Sequence, residues 1–328
     1  MTPSLSVIIP TYNRAEFVRT CLASLRDSGV SDLEVIVVDD GSTDNTREVV
    51  AEQWPGAIYS WGPNTGNPSA PRNRGFAIST GRYVCFLDCD DRWLPGMPAQ
   101  AVAILDHHPQ LDVLFADAKF GNEQDGFTSW IELAGQRVFR ELPKIEREPH
   151  VFEMERGPLF HRLVERNVVY GGACLLRRNV FAAYGGFDTS YWGGEDWELW
   201  MRMAAERTFG FWDASLAVYT RHPGNVTNDA ERMTGGFAQA LRNVLKRAPN
   251  LLPSDRRWVR RKLGSVLFAY AYHAYDRGDL ATARVRFAEA IRAGNRQPLT
   301  LALWAVSQLP PPLFRHLRRT VQTMRGTG

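Results

Sequence analysis

Three carboxylates fall within four positions at Asp88-Cys89-Asp90-Asp91, directly after the apolar run Tyr83–Leu87. If that run is a buried strand, the acids sit where it leaves the sheet. Asp88 and Asp90, two apart, then depart on roughly the same side. A hard divalent cation such as Mg2+ takes one or two carboxylates and completes its shell with substrate phosphates, so the cluster suits a nucleoside diphosphate. It suits equally a solvated acidic turn in which Asp90 or Asp91 caps the next helix, and taken alone it does not separate the two. A second acidic place is Gly193-Gly194-Glu195-Asp196, at the start of an amphipathic pattern with Leu199, Trp200 and Met203 on one face. Acids in a first helical turn ordinarily complement the helix dipole, but the paired glycines also let a substrate or backbone approach closely. A single histidine, His222, lies in the loop Thr220–Asn225 behind a strand pattern.

The elements that must position these groups alternate regularly. Apolar runs at Leu5–Ile9, Leu33–Val38, Ala57–Ser60 and Arg82–Leu87 predict strands, and amphipathic or capped stretches between them predict helices over 14–26, 44–53 and 71–79. This alternation predicts an α/β fold with a mostly parallel sheet covered on both faces. Ligands bind such sheets beyond the carboxyl ends of the strands. Pro10-Thr11-Tyr12-Asn13 follows the first strand, Asp39-Asp40-Gly41-Ser42 the second and the acidic cluster the fourth. Three strand ends therefore bring polar groups to one rim, which favours a nucleotide site over a capped turn. Further on, a helix over 97–108, a strand over 111–117, a helix near 158–165, a strand from Gly171 to Leu176 entered through two glycines, and a strand over 211–219 are expected. Residues 119–150 show no clear periodicity, mix charge with Gly and Pro, and read as a variable excursion.

From about Asp229 the pattern is helical, which divides the chain into 1–228 and 229–328. Residues 265–293 resemble one tetratricopeptide-like helical hairpin, which cannot bury its own apolar face and is expected to pack on the rest of the chain or on a partner. Leu299–Leu309 is an uncharged apolar helix followed by a basic segment with Arg315, Arg318, Arg319 and Arg325.

Composition bounds the class. The chain has 328 residues, 44% hydrophobic and 23% charged, with a formal net charge of +3, which is ordinary globular composition. Positive charge gathers toward the end: eight Lys or Arg and one acid lie between Arg242 and Lys262. Such a run suits an anionic surface, though a solvated helix face is its commoner meaning. Four cysteines without paired spacing exclude a disulfide framework or a zinc site and point to a reducing, cytoplasmic setting. No signal-peptide pattern and no long uninterrupted apolar run is seen, so neither secretion nor a transmembrane helix is expected.

The motifs "SVIIPTYNR", "VDDGSTD", "PRNRG", "FLDCDD" and "GGEDWELWMR", in that order over roughly residues 4–227, resemble the inverting family 2 glycosyltransferases. The resemblance implies the GT-A nucleotide-sugar fold followed by an all-helical C-terminal region. It also implies transfer of a sugar from a nucleoside-diphosphate sugar to an acceptor hydroxyl, with Mn2+ or Mg2+ as cofactor. By the same resemblance Pro10, Thr11 and Tyr12 border the nucleoside, Asp40 with Asp39 beside it meets the base, and Arg72, Asn73 and Asp88 contact the nucleotide sugar. Asp90 is the implied metal contact, with His222 as a further one, and Asp196 is the implied catalytic base with Glu195 as its supporting neighbour. Gly172 and Trp192 are candidate acceptor contacts.

Processive synthases of this kind carry a Gln-x-x-Arg-Trp motif and transmembrane helices. The chain has neither, so transfer of one or a few sugars is expected, to a saccharide or lipid-linked acceptor in surface polysaccharide or glycoconjugate assembly. Peripheral contact with the inner membrane face through the basic C-terminal segment and homo-oligomerisation are compatible with the sequence; no nucleic acid is expected. Two rivals remain. A sugar nucleotidyltransferase would need a glycine-rich basic loop after the first strand, where Pro10–Arg14 stands instead. A non-catalytic nucleotide-sugar-binding protein would have no use for the acid set Asp88, Asp90 and Asp196.

Overall fold

The computed structural model describes residues 2–133, 141–248, 250–310, 313 and 314. The chain forms two compact units, Met1–Asn228 and Asp229–Gly328. The first unit opens with β1 (Leu5–Thr11), α1 (Ala15–Leu25), β2 (Leu33–Asp39), α2 (Thr46–Gln53), β3 (Ile58–Trp61), α3 (Ser69–Ile78) and β4 (Tyr83–Phe86). Every residue of β1 is buried, as expected of a strand covered on both faces. It pairs in parallel with β2 (Thr11 opposite Asp39) and with β4 (Ile8 opposite Phe86). α1 presents Val18, Cys21, Leu22 and Leu25 to this core at the i, i+3, i+4, i+7 spacing of one helix face.

The chain continues through β5 (Arg92–Trp93), α4 (Met97–His107), β6 (Val113–Asn122), β7 (Gly126–Ser129), α5 (Trp130–Leu133), β8 (Lys144–Glu148), β9 (Val151–Met154) and α6 (Arg156–Glu165). After a 3-10 turn at Gly171–Ala173 come β10 (Cys174–Arg177), α7 (Arg178–Ala183), α8 (Glu195–Ala204) and β11 (Phe209–Thr220). The sheet order is β3-β2-β1-β4-β10-β6-β11-β9-β8, with β5 on β11 and β7 on β6. β10 is antiparallel to both β4 and β6, and β11 is parallel to β6. Inserting one reversed strand therefore leaves β6 and β11 running the same way as β1, β2 and β4. The carboxyl ends of those strands and the start of β10 consequently share one rim.

The α/β class with mostly parallel central strands is as the sequence predicts. Two local expectations are corrected. Residues 119–150, expected only as a variable excursion, carry strands where they are described: β6 runs on to Asn122, turns back as β7, and β8 with β9 extends the sheet edge, while 134–140 lie outside the described residues. Their periodicity is weak because β7 and β8 are largely exposed edge segments. Gly171–Ala173 is a 3-10 turn rather than strand, because the Gly172 carbonyl is taken by the Trp93 indole N–H (3.0 Å) instead of a strand neighbour. All four cysteines are buried and unpaired.

The second unit contains α9 (Ala230–Arg247), α10 (Pro253–Arg277), α11 (Leu280–Arg292) and α12 (Pro298–Ser307). Gly278, at φ +83°, ends α10, and Asp279 caps α11 by accepting from the Thr282 N–H (3.0 Å). Ala271, Ala274 and Ala283 let the two helices approach closely around Phe287. The predicted basic residues Arg315, Arg318, Arg319 and Arg325 lie outside the described residues.

Candidate active site

The rim is assembled by side chains that tie neighbouring strand ends together. After β1, Asn13 adopts φ +50°, and its backbone N–H donates to the Ser42 hydroxyl (2.8 Å) while its Oδ1 accepts from the Thr43 N–H (2.7 Å). The loops after β1 and β2 are thereby joined. Gly41, at φ +93°, tolerates no side chain, because a Cβ would lie 2.7 Å from the Asn64 backbone nitrogen. Pro10 and Thr11 are buried in β1, whereas Tyr12 is 47% exposed on the rim.

Asp39 and Asp40 are both buried but are satisfied differently. Asp39 accepts from the Ser42 N–H (2.7 Å) and from the Tyr59 hydroxyl, so both oxygens serve the fold. In Asp40, Oδ2 accepts from the N–H and hydroxyl of Thr65 (2.9 Å each), while Oδ1 is buried without a hydrogen-bond partner. The Arg74 guanidinium stands 4.0 Å from that oxygen. An unpaired buried acceptor is costly, and a ligand N–H would relieve it.

The three clustered acids have three separate environments. Asp88 accepts from Arg72 Nη2 (2.6 Å). Asp90 accepts from the Arg14 guanidinium and from His222 Nε2 (3.0 Å). Asp91 does not cap a helix: it is buried, accepts from the Tyr170 hydroxyl and from the Thr220 N–H (2.8 Å), and so ties β11 to the cluster. Burial first, then the charges of Asp90 and Asp88, hold its carboxyl well above the ordinary carboxylate range. Arg14 also donates to the Gly224 carbonyl (2.9 Å), and the His222 ring stacks on Phe17 at 4.6 Å. Nothing local in the sequence marked Arg14, which reaches Asp90 across 76 positions.

Arg72 links the two acidic places. Its other guanidinium nitrogen donates to Glu195 Oε1 (2.7 Å), forming a chain Asp88–Arg72–Glu195 that runs from the half-exposed Asp88 to the buried Glu195. The loop ahead of α8 is clamped to α3 and the turn before it. Asn73 exchanges two hydrogen bonds with the Phe187 backbone (2.8 and 2.9 Å), and Asn67 Nδ2 donates to the Thr189 and Tyr191 carbonyls (3.0 and 2.7 Å). The Asn73 amide is thus engaged in holding this loop. Gly193 and Gly194 have φ +85° and +80°, so the turn into α8 itself requires glycine there. Gly172 is buried against Tyr170, whose hydroxyl a Cβ would meet at 2.6 Å and whose ring at 2.8 Å, and Trp192 is half-buried in the loop before Gly193.

Asp196, unlike its neighbour Glu195, has only neutral hydrogen-bond partners. Its Oδ1 accepts from the Trp197 N–H (2.7 Å) and its Oδ2 from Asn167 Nδ2 (3.2 Å). Burial, followed by the adjacent Glu195 charge, pushes its pKa up to about 7, against the opposing pull of Arg72 and the Trp197 N–H. A carboxyl balanced there can accept a proton near neutral pH. Asn167, which no sequence signal marked, fixes the orientation of this carboxylate.

The profile of glycosyl transferase family 2 matches residues 6–185, more than half of the chain. The chain belongs to glycosyl transferase family 2. Over 140 residues, 42% of its length, this family 2 chain is 37% identical to the uncharacterized glycosyltransferase YibD of Escherichia coli, of which it spans 40%. Its fold is that of Staphylococcus aureus TarS solved with UDP-GlcNAc (TM-score 0.62, 22% identity, 96% of this chain and 87% of that one). It is also that of a Pyrobaculum calidifontis mannosyltransferase solved with GDP-Man and Mn2+ (TM-score 0.57, 19% identity, 97% and 83%). The matched residues end before Glu195, Asp196 and His222, whose placement rests on the geometry above.

A divalent cation is the cofactor that the family resemblance implies. The chemistry of the donor set is favourable at Asp90 and less so at His222. The Gly224 N–H donates to His222 Nδ1 (3.1 Å), so in this arrangement Nε2 carries the proton and donates to Asp90. Ligation through Nε2 requires the other tautomer and loss of the Gly224 hydrogen bond. Asp90, once released by Arg14, fits a cation completed by phosphate oxygens.

Proposed function

We propose that the chain is a glycosyltransferase that moves one sugar from a nucleoside-diphosphate sugar to an acceptor hydroxyl by direct displacement with inversion, Asp196 acting as the base. The observation that carries this reading is the Asp196 carboxyl, poised at about 7 with neutral hydrogen-bond partners, one residue from the Asp88–Arg72–Glu195 chain. The nucleotide lies along the rim, with its base beside Tyr12 and an N–H of the base given to the unpaired Asp40 oxygen. Asp88 and Arg72 face the sugar diphosphate. As the acceptor oxygen bonds to the anomeric carbon, the carbon–oxygen bond to the diphosphate breaks and its electron pair leaves with the diphosphate. The hydroxyl proton passes to Asp196, which its burial and the adjacent Glu195 charge keep basic enough to take it. No covalent intermediate forms on the protein.

Asp90, with His222 beside it, would hold a divalent cation, which when bound would supply charge stabilisation for the leaving diphosphate. Arg14 and Arg72 are the chain's own cations at the same place. The acceptor is a saccharide or a lipid-linked saccharide, met on the Trp192 side of Asp196.

The test is incubation with a panel of nucleoside-diphosphate sugars and candidate acceptors, with Mn2+ and with a chelator. Nucleoside diphosphate and a glycoside of inverted anomeric configuration by NMR are the expected products, and release is expected to fall when the metal is removed. Pyrophosphate release would identify a nucleotidyltransferase, and binding without turnover a non-catalytic protein. A retained anomeric configuration would overturn the single displacement.

A further inference from the structure

In the second unit, α12 packs Leu303 on the Phe287 cluster but turns its other leucines and its tryptophan outward. Its buried residues are the polar Thr300 and Ser307, while Leu299 is 56%, Leu301 43% and Trp304 38% exposed. Leu301, Trp304, Ala305 and Gln308 follow the i, i+3, i+4, i+7 spacing and form one exposed stripe. The inward side is anchored by polar contacts: Thr300 donates to Asn295 Oδ1 (2.9 Å), and Arg284 on α11 donates to the Ser307 and Leu309 carbonyls. These bonds fix the helix with its apolar side turned outward, at the expense of exposing large side chains that water disfavours.

Charge along the chain on either side of the helix has one sign. No Asp or Glu follows Glu289, whereas Arg292, Arg296, Arg315, Arg318, Arg319 and Arg325 all do. Residues 297–314 carry no ionisable side chain, so an uncharged apolar helix is bracketed by arginines. Arg292 and Arg296 are exposed just ahead of α12. A protein partner for an apolar helix with cationic flanks would need a groove with acidic edges. An anionic bilayer offers both features without a specific groove: an apolar interior for Leu and Trp, and negative headgroups for arginine. Tryptophan is enriched at that interface. Among the described residues no helix is long and apolar enough to cross a membrane, so lying in the headgroup plane is the mode open to this one.

We infer that the outward stripe of α12 docks the protein on an anionic phospholipid surface, with the exposed Arg292 and Arg296 on the headgroups. The test is flotation of the full chain with vesicles of phosphatidylglycerol in phosphatidylcholine, against pure phosphatidylcholine, at low and high salt. Binding is expected to the anionic vesicles and to weaken several-fold with salt. Leu301→Asp with Trp304→Asp should lower partitioning by about tenfold or more, whereas Val285→Asp, an equally exposed apolar position on α11, should leave it unchanged. Leu301→Ser with Trp304→Ser repeats the loss without adding charge, and far-ultraviolet circular dichroism shows whether each variant keeps its helices. The inference is overturned if the wild type does not float with anionic vesicles, or if both stripe variants float as well as the wild type. It is also overturned if light scattering shows a dimer that the stripe variants dissociate while vesicle binding is unchanged, since a second copy would then cover the stripe. None of these readouts depends on sugar transfer.

Discussion

The donor rim and the start of α8 both use buried or half-buried carboxylates, but they satisfy them by different means. At the rim, Asp88 and Asp90 face arginine, Asp91 and Asp39 face tyrosine hydroxyls and backbone N–H groups, and Asp40 keeps one oxygen spare. At α8, Glu195 takes the arginine and leaves Asp196 with an amide and a backbone N–H. A carboxylate held by a full positive charge stays ionised and suits the binding of charged groups. One held by neutral dipoles in a partly desolvated place moves toward neutrality and suits proton transfer. Two adjacent acids on one helical turn thus stand in different settings: Glu195 has the arginine, while burial and the Glu195 charge raise Asp196.

The sharpest way to break this contrast is to remove the group that titrates. Asp196→Asn should lower kcat by about 10²- to 10⁴-fold, the usual worth of a general base, with donor affinity nearly unchanged by calorimetry. A comparable loss of donor affinity would move Asp196 to the binding side. In the wild type, kcat should fall on the acid side of a pKa near 7, since Asp196 must be ionised to act. The same shift has a stability consequence of opposite direction. Asp196 binds its proton more tightly folded than unfolded, so its contribution to stability is lost as pH rises from the ordinary Asp value through about 7. Asp196→Asn should therefore be more stable than the wild type at pH 8, by about 2–4 kcal/mol, with the gain shrinking toward pH 4. Denaturant titration at the two pH values measures this.

Arg72 is where the two regions meet, so its removal should disturb both. Arg72→Met leaves Asp88 and the buried Glu195 without their common cation, and breaking such a pair typically costs about 3–5 kcal/mol. Because Arg72 also draws the Asp196 pKa down, its loss should move the acid limb of the kcat profile to higher pH. A variant that loses stability but keeps the wild-type limb would show that Arg72 braces the site without tuning the base.

How much of this was legible in the sequence depends on the range of the interaction. β1, β2 and β4 announced themselves because a strand covered on both faces must be apolar throughout, and their ends located the rim acids. Pattern could not say what each acid faces. Arg14 meets Asp90 across 76 positions, Asn167 meets Asp196 across 29, and Tyr170 meets Asp91 across 79. No local spacing encodes those contacts; the insertion of β10 and the return of β11 create them. The same limit explains Asn73 and Gly172. Both stand at suggestive places, yet Asn73 clamps the Phe187 backbone, and Gly172 makes room for the Tyr170 ring.

Asp39 and Asp40 repeat the contrast on a smaller scale, and there pattern had nothing to separate them. Both are buried, both end β2, and the two oxygens of Asp39 are consumed by Ser42 and Tyr59 while one of Asp40 is not. Asp39→Ala should therefore cost about 1–3 kcal/mol of stability by leaving the Tyr59 hydroxyl and the Ser42 N–H unsatisfied, with nucleotide affinity following only through the loosened loop. Asp40→Asn keeps an acceptor for Thr65 and removes the charge. It should weaken nucleotide binding by about tenfold, the worth of one hydrogen bond to a charged group, with stability almost unmoved. Isothermal titration of the tightest-binding nucleoside diphosphate and denaturant unfolding on both variants separate the two effects. If Asp39→Ala loses affinity without losing stability, the roles are exchanged, and the unpaired oxygen of Asp40 belongs to Arg74 instead of the ligand.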